Sequence, residues 1–219
     1  MMKIGILGGG QLARMLSLAA SQLAFSTLCY TQEQDACASD VTRIMHANFS
    51  DSNSLQNFMA EVDVVTYESE NIPSTTTDYI EQLHRLSPSN QALMVSQDRL
   101  TEKRFFQELN IATPSFVAVN ELSDLTAAVD QLGLPLLLKT RRFGYDGKGQ
   151  YLIDSNTDLK QAWQSYEGQS LIAEHYLNFD REVSIIAVRE AQGNIVYYPL
   201  TENIHHRGIL TVSKAPFID

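Results

Sequence analysis

Apolar and polar positions along the 219-residue chain fall into two regimes. In the first, short apolar runs alternate with stretches of helical spacing. Residues 3–7 (KIGIL), 27–30 (TLCY) and 62–67 (VDVVTY) read as buried strands. Between them, Leu12, Met15, Leu16, Ala19 and Leu23 recur at helical spacing after Gly8-Gly-Gly10, which predicts a helix over 11–23. A helix is also predicted over 55–60, and another over 75–86 with Tyr79, Ile80, Leu83 and Leu86 on one face. Strands alternating with helices argue a parallel, doubly wound sheet.

The pattern changes after Ser87-Pro-Ser89. Asp98 is placed to cap a helix running through Leu109, with Leu100, Phe105, Phe106 and Leu109 facing inward. Strands follow at 116–119, 136–139, 151–153, 171–174, 182–188 and 195–198, with helices at 122–132 and 159–163. The strands at 182–188 and 195–198 are joined by a turn at Gln192-Gly-Asn194. The expected organisation is a Rossmann-like α/β domain over 1–95, then an α+β region over 96–219.

Composition narrows the classes. Hydrophobic residues make up 44% of the chain, enough for a sizeable core. The net charge is −10, with four basic against ten acidic residues through Val95 and twelve against sixteen after it. Such a field repels phosphate polymers, so nucleic acid is not an expected partner. Two cysteines without metal-type spacing, no membrane-spanning run and no signal-peptide pattern suit a cytoplasmic protein.

Against that acidic background, four of the sixteen Lys and Arg residues lie between Lys139 and Lys148. The stretch Lys139-Thr-Arg-Arg-Phe-Gly-Tyr-Asp-Gly-Lys-Gly-Gln150 reads as a glycine loop between two strands. Gly144, Gly147 and Gly149 let backbone N–H groups turn toward an anion. The same residues fit a lid over phosphates or a solvated basic hairpin tip. Gly8-Gly-Gly10-Gln-Leu-Ala13 fits the G-x-G-x-x-A pattern between strand and helix, with Glu33 and Asp35 as the acidic partners a dinucleotide site wants. Glu68 and Glu70 follow the carboxyl end of a strand, where open α/β sheets take ligands, or they form a solvated acidic loop. Glu174 ends one strand and Glu182 begins another, each free to accept hydrogen bonds from a ligand or to stand in solvent. His205 and His206 lack a metal-type pattern.

Taken together, these stretches resemble the ATP-grasp superfamily and, within it, the 5-(carboxyamino)imidazole ribonucleotide synthases. The resemblance rests on Gly8-Gly-Gly-Gln-Leu-Ala-Arg-Met15, Thr66-Tyr-Glu-Ser-Glu-Asn-Ile-Pro73, Asp98-Arg-Leu-Thr-Glu-Lys103, Lys139 with the glycine loop, Glu182-Val-Ser184, and residues 198–205 (YPLTENIH). It implies a pre-ATP-grasp domain, an ATP-grasp lid domain and the start of a catalytic domain. It also implies an ATP-dependent ligase that joins bicarbonate, through carboxyphosphate, to the amine of aminoimidazole ribonucleotide. By resemblance, Arg99 and Lys139 contact ATP phosphates and Gly144, Tyr145, Asp146, Gly147, Lys148, Gly149 and Gln150 form the lid. Glu174, His175, Tyr176 and Leu177 line the adenine pocket, Glu182 holds the ribose and His205 lies near the nucleotide. Gln11, Leu12 and Glu68 touch the imidazole ribonucleotide. Tyr145, Asp146 and Lys148 face the reacting groups, with Asp146 handling the proton.

Ser69 departs from the family, whose members commonly carry an aromatic residue there. The family's magnesium ligands and its phosphate-binding basic residues lie beyond position 219, so no metal ligand is expected here and unaided turnover is not. The full-length family is expected to be homodimeric. Other readings are a non-catalytic nucleotide-binding fragment, another ATP-grasp ligase and, from Gly8 to Ala13 alone, a nicotinamide oxidoreductase.

Overall fold

The computed structural model describes residues 2–218 except His84, Tyr145, Asp146, Asn156, Thr157 and Arg207. The chain divides into two compact units, Met1–Phe105 and Phe106–Asp219.

In the first unit the elements run β1 (Lys3–Leu7), α1 (Gln11–Gln22), β2 (Ser26–Thr31), a 3₁₀ turn (Cys37–Asp40), β3 (Arg43–His46), α2 (Ser52–Ala60), β4 (Val64–Tyr67), α3 (Ser74–Glu81) and α4 (Asn90–Ser96). The helix α5 (Arg99–Glu108) runs across the division. The sheet has the order β3-β2-β1-β4 and is parallel throughout. Alternation along β1 and β2 sends Leu7, Leu28 and Tyr30 to one core, with Phe58, Val65 and Ile80, and Ile6 and Cys29 to the other, with Ala13 and Ala38. Gly5 is required by packing, because a Cβ there would lie 2.6 Å from the Phe58 ring. The Arg85 guanidinium donates to the carbonyls of Met59, in the last turn of α2, and of Val62, just past it, which satisfies groups a helix end leaves over.

The apolar stripe of α1 does not face this core. Its buried residues are Ala13, Ser17 and Ala20, whereas Leu12, Met15, Leu16 and Leu23 are exposed. Small side chains bring the helix close to the sheet, and the large ones are left outside. The stripe expected on α3 is similarly incomplete. Ile80 is fully buried, but the helix ends at Glu81 and Leu83 is exposed. On α5 only Leu100 is buried, and Phe105 and Leu109 are exposed. Asp98 does cap α5, accepting from the Leu100 and Thr101 N–H groups at 2.9 and 3.2 Å.

The second unit contains β5 (Phe116–Val119), α6 (Leu122–Leu132), β6 (Leu136–Thr140), β7 (Gln150–Ile153), α7 (Leu159–Ser165) and β8 (Leu171–His175). The four strands form an antiparallel sheet in the order β5-β8-β6-β7. Val119, Leu125, Ala128, Leu136, Leu138 and Ile153 fill the core between this sheet and α6 and α7. Beyond it, β9 (Glu182–Ser184), β10 (Ala187–Arg189), β11 (Ile195–Tyr197), β12 (Thr201–His206) and β13 (Ile209–Lys214) make two small antiparallel sheets, β13-β12-β9 and β10-β11. The single strand expected over 182–188 is thus two strands with different partners. Its first part pairs with β12, and only its second joins the hairpin through Gln192-Gly-Asn194. An α/β parallel unit followed by an α+β region is the fold class the sequence implied.

Two outcomes follow. Leu138 is fully buried at the centre of the second sheet, so Leu138→Ala should cost about 2–5 kcal/mol of stability by chemical denaturation. Burial pushes the Cys29 thiol up to about 11, and the side chain is fully enclosed, while Cys37 is exposed. A neutral, enclosed thiol is a poor nucleophile. Iodoacetamide at pH 8 should therefore modify Cys37 in the native chain and spare Cys29, with peptide mass spectrometry as the readout.

Candidate functional site

The carboxyl ends of β1, β2 and β4 open onto one pocket of the first unit. Gly8 donates its N–H to the Tyr30 carbonyl at 2.9 Å, and Glu68 donates its own to the Leu7 carbonyl at 3.1 Å. The Glu68 side chain then turns back over the glycine loop. Its Oε1 accepts from the Gly10 N–H at 2.8 Å and its Oε2 from the Ala13 N–H at 2.6 Å. Gly8 must be glycine here: its φ is +111°, and a Cβ would fall 2.4 Å from Glu68 Oε1. The pocket of about 270 Å³ beside this loop is lined by Gly8, Gly9, Thr31, Glu33, Glu68 and Asn71, among others. Gln11 and Leu12 sit on the exposed first turn of α1, outside the described lining. Glu70 is exposed.

In the second unit, Lys139 and Glu174 project from the neighbouring strands β6 and β8, two positions apart in register on one face. Lys139 Nζ lies 3.0 Å from Glu174 Oε2, and Glu174 is only 4% exposed. A carboxylate so deep demands a cation, and Lys139 supplies one at the strand end where the glycine loop begins. Gln150 is the register partner of Lys139 across β7. Between them Gly147 and Gly149 take left-handed conformations, φ +75° and +71°. At Gly149 a Cβ would lie 2.5 Å from Thr140 Oγ1, so a side chain there would prise the loop from the sheet. The Arg142 guanidinium stacks over the Phe143 ring at 5.2 Å. Tyr145 and Asp146 lie outside the described residues.

Past Glu174 the strand alternates. The His175 ring contacts the Leu132 carbonyl through Nδ1 at 3.2 Å, so it leaves the sheet on the face opposite Glu174. Tyr176 and Leu177 are exposed beyond the strand end.

A third constellation forms on the β9–β12 pair. His205 Nδ1 lies 2.6 Å from Glu182 Oε2. Both line a cavity of about 340 Å³ with Arg181, Glu202 and Asn203. His205 also borders a cavity of about 610 Å³ on the same sheet, where Asn203 bridges Ser184 Oγ and Ser213 Oγ at 2.8 and 2.9 Å. Asn203 and Ser213 were not expected from sequence. Asn203 lies in the 198–205 stretch that carries the resemblance, while the apolar pattern hides β12, where only Ile204 is apolar among Thr201–His206. Arg99 opens α5. Among the described residues no group of three His, Cys, Asp or Glu side chains could hold a metal ion, and no helix is long and apolar enough to cross a membrane.

Known proteins share this fold. Residues 1–97 match the ribonucleotide synthetase preATP-grasp domain. The chain is 40% identical over 214 residues to the N5-carboxyaminoimidazole ribonucleotide synthase of Pseudomonas aeruginosa, covering 98% of this chain and 59% of that one. It superposes on the N5-carboxyaminoimidazole ribonucleotide synthetase of Thermus thermophilus with a TM-score of 0.89 and 43% identity, covering 97% of this chain and 57% of that one. The Staphylococcus aureus enzyme complexed with ADP gives 0.94 and 34%, over 98% and 58%. The chain thus spans somewhat more than half the length of these relatives. Residues 104–218, more than half the sequence and all three of β6, β8 and β9 with them, match the ATP-grasp domain, and the chain belongs to the ATP-grasp family.

Proposed function

We propose that this chain carries the ribonucleotide-binding and ATP-lid parts of an N5-carboxyaminoimidazole ribonucleotide synthase. The observation that carries the reading is a Lys139–Glu174 pair seated at the mouth of a glycine loop, in a chain that matches a preATP-grasp and an ATP-grasp domain in that order. The substrates are ATP, bicarbonate and aminoimidazole ribonucleotide.

The chemistry is phosphoryl transfer followed by carboxyl transfer. A bicarbonate oxygen attacks the terminal phosphorus of ATP, and ADP leaves, forming carboxyphosphate. The amine nitrogen of the ribonucleotide then attacks the carboxyl carbon, phosphate leaves, and the nitrogen loses a proton. Lys139 and Arg99 supply cations to the phosphates, which strengthen as charge moves onto the bridging oxygen. Glu174 holds the ammonium of Lys139 in place and accepts from the adenine amino group, with Tyr176 and Leu177 flanking the ring. Glu182 accepts from ribose hydroxyls, and His205, 2.6 Å away, orients its carboxylate. The loop of residues 144–150 closes over the phosphates and keeps water from carboxyphosphate. Lys148 lies on that loop, and Asp146 takes the amine proton. Glu68 faces the imidazole ribonucleotide. Magnesium, when bound, would neutralise phosphate charge; the described residues offer no cluster for it.

Calorimetric titration tests the reading. Aminoimidazole ribonucleotide and ATP should each bind the chain, and NADH should not. Tight NADH binding with no response to the ribonucleotide would replace this function with an oxidoreductase. Lys139→Ala should weaken ATP binding by about 10- to 100-fold, the loss of one charge-assisted contact. Unchanged ATP affinity in a variant with a native circular dichroism spectrum would remove Lys139 from the phosphate site.

A further inference from the structure

The glycine loop after β1 has the form that elsewhere cradles phosphate, and here an anion of the protein's own is already on it. The helix α1 begins with no side-chain cap, because its N-cap is Gly10 and its third residue is Ala13. In a capping box these two positions satisfy each other's N–H groups with their own side chains. Glycine and alanine have none to offer. Glu68, 58 and 55 residues away, supplies both acceptors from a single carboxylate. The fit is close on every side. A Cβ at Gly8 would strike Glu68 Oε1 at 2.4 Å, and one at Gly10 would lie 3.0 Å from the same atom.

We propose that Glu68 is a specificity-determining residue: a built-in anion that closes the N-terminus of α1 to phosphates and makes the adjoining pocket select for hydrogen-bond donors. Two negative groups cannot share the positive end of one helix, so a pyrophosphate cannot occupy this loop while Glu68 does. The rest of the pocket points the same way. Its lining carries the carboxylates of Glu33 and Glu68, the hydroxyls of Thr31 and Ser69 and the amides of Gln32 and Asn71, and no Lys or Arg is among them. A ligand entering here presents hydroxyl or amine groups to the glycine loop, and any phosphate it bears points away. The same arrangement explains why a G-x-G-x-x-A sequence in this chain is not a dinucleotide site. The inference concerns the loop itself and stands whether or not the ligase reading does.

The test uses inorganic phosphate on the 219-residue chain, with sodium chloride matching ionic strength throughout. Glu68→Ala removes both the charge and the volume, so the bare helix N-terminus should bind phosphate. At ten times its Kd, phosphate should raise the melting temperature of the variant by about 3–5 °C. Wild type and Glu68→Gln, in which the seat stays filled, should not respond. Indifference of Glu68→Ala to phosphate, or an equal response from wild type, would overturn the proposal. Should Glu68→Ala fail to fold, the isosteric Glu68→Gln decides. A glutamine offers one acceptor in place of two, so the amide of Gly10 or of Ala13 should exchange its hydrogen about tenfold faster or more. Unchanged exchange at both would mean that Glu68 does not cap α1, and the plug would be lost with it.

Discussion

Every helix leaves N–H groups over at its start, and in the first unit their satisfaction organises the carboxyl edge of the sheet. The Glu68 carboxylate answers the N–H groups of Gly10 and Ala13 while its backbone donates to Leu7. One residue thereby ties the end of β4, the end of β1 and the first turn of α1. The glycines of the loop are required by close approach of the protein itself. Gly8 clears the Glu68 side chain, and Gly9, where a Cβ would lie 2.8 Å from Thr31 and 2.9 Å from Ala36, clears the segment after β2. Glycine in this loop makes room for protein, where in a dinucleotide fold it makes room for phosphate.

The second unit meets a different constraint. Glu174 is buried on a strand flanked by two others, where an unpaired carboxylate would be strongly destabilising. Lys139 meets it across the strands and is itself partly open at the loop side, with a side chain 22% exposed. An ammonium held by a buried acid is oriented before a ligand arrives, so little ordering remains to be done on binding. Under the proposed function, the phosphate of ATP shares that ammonium from the side of the glycine loop. Replacing either partner therefore disturbs the other.

The elements legible in the sequence were those whose signal was local. The runs at β1, β5, β6 and β8 are apolar, and α6 begins and ends where the spacing placed it. Asp98 capped α5 because an Asp before a helical stretch is a local device. What failed was non-local. Nothing in Leu12, Met15 and Leu16 says that the sheet takes Ala13, Ser17 and Ala20 instead, since that depends on how closely the helix approaches. Arg43–His46 carries one Arg and one His in four residues and is a strand only because β2 offers it an edge. The split of 182–188 into β9 and β10 is decided by β12, whose Thr201 and Asn203 give no apolar run to recognise. At the site, single residues were legible and their partners were not. Lys139 and Glu174 could each be named, but the 3.0 Å contact needs the register of β6 on β8. Glu68 stood out as an acid past a strand end, while its hold on a helix start more than fifty residues away had no sequence signal at all.

The two glycine loops carry opposite local charge within a chain of net charge −10. Bulk charge governs long-range approach, and a small anion is recognised within a few ångströms, where local groups dominate. The basic residues Lys139, Arg141, Arg142 and Lys148 are concentrated on one glycine loop, whereas the other glycine loop faces Glu33 and Glu68. Two glycine loops are thereby given opposite local charge. On the proposed function, the loop after β6, with its cation steadied by a buried acid, favours phosphate, while the loop after β1, its helix start neutralised from within, favours hydrogen-bond donors. The sign of the group the fold itself supplies, more than the glycines, decides what each loop accepts.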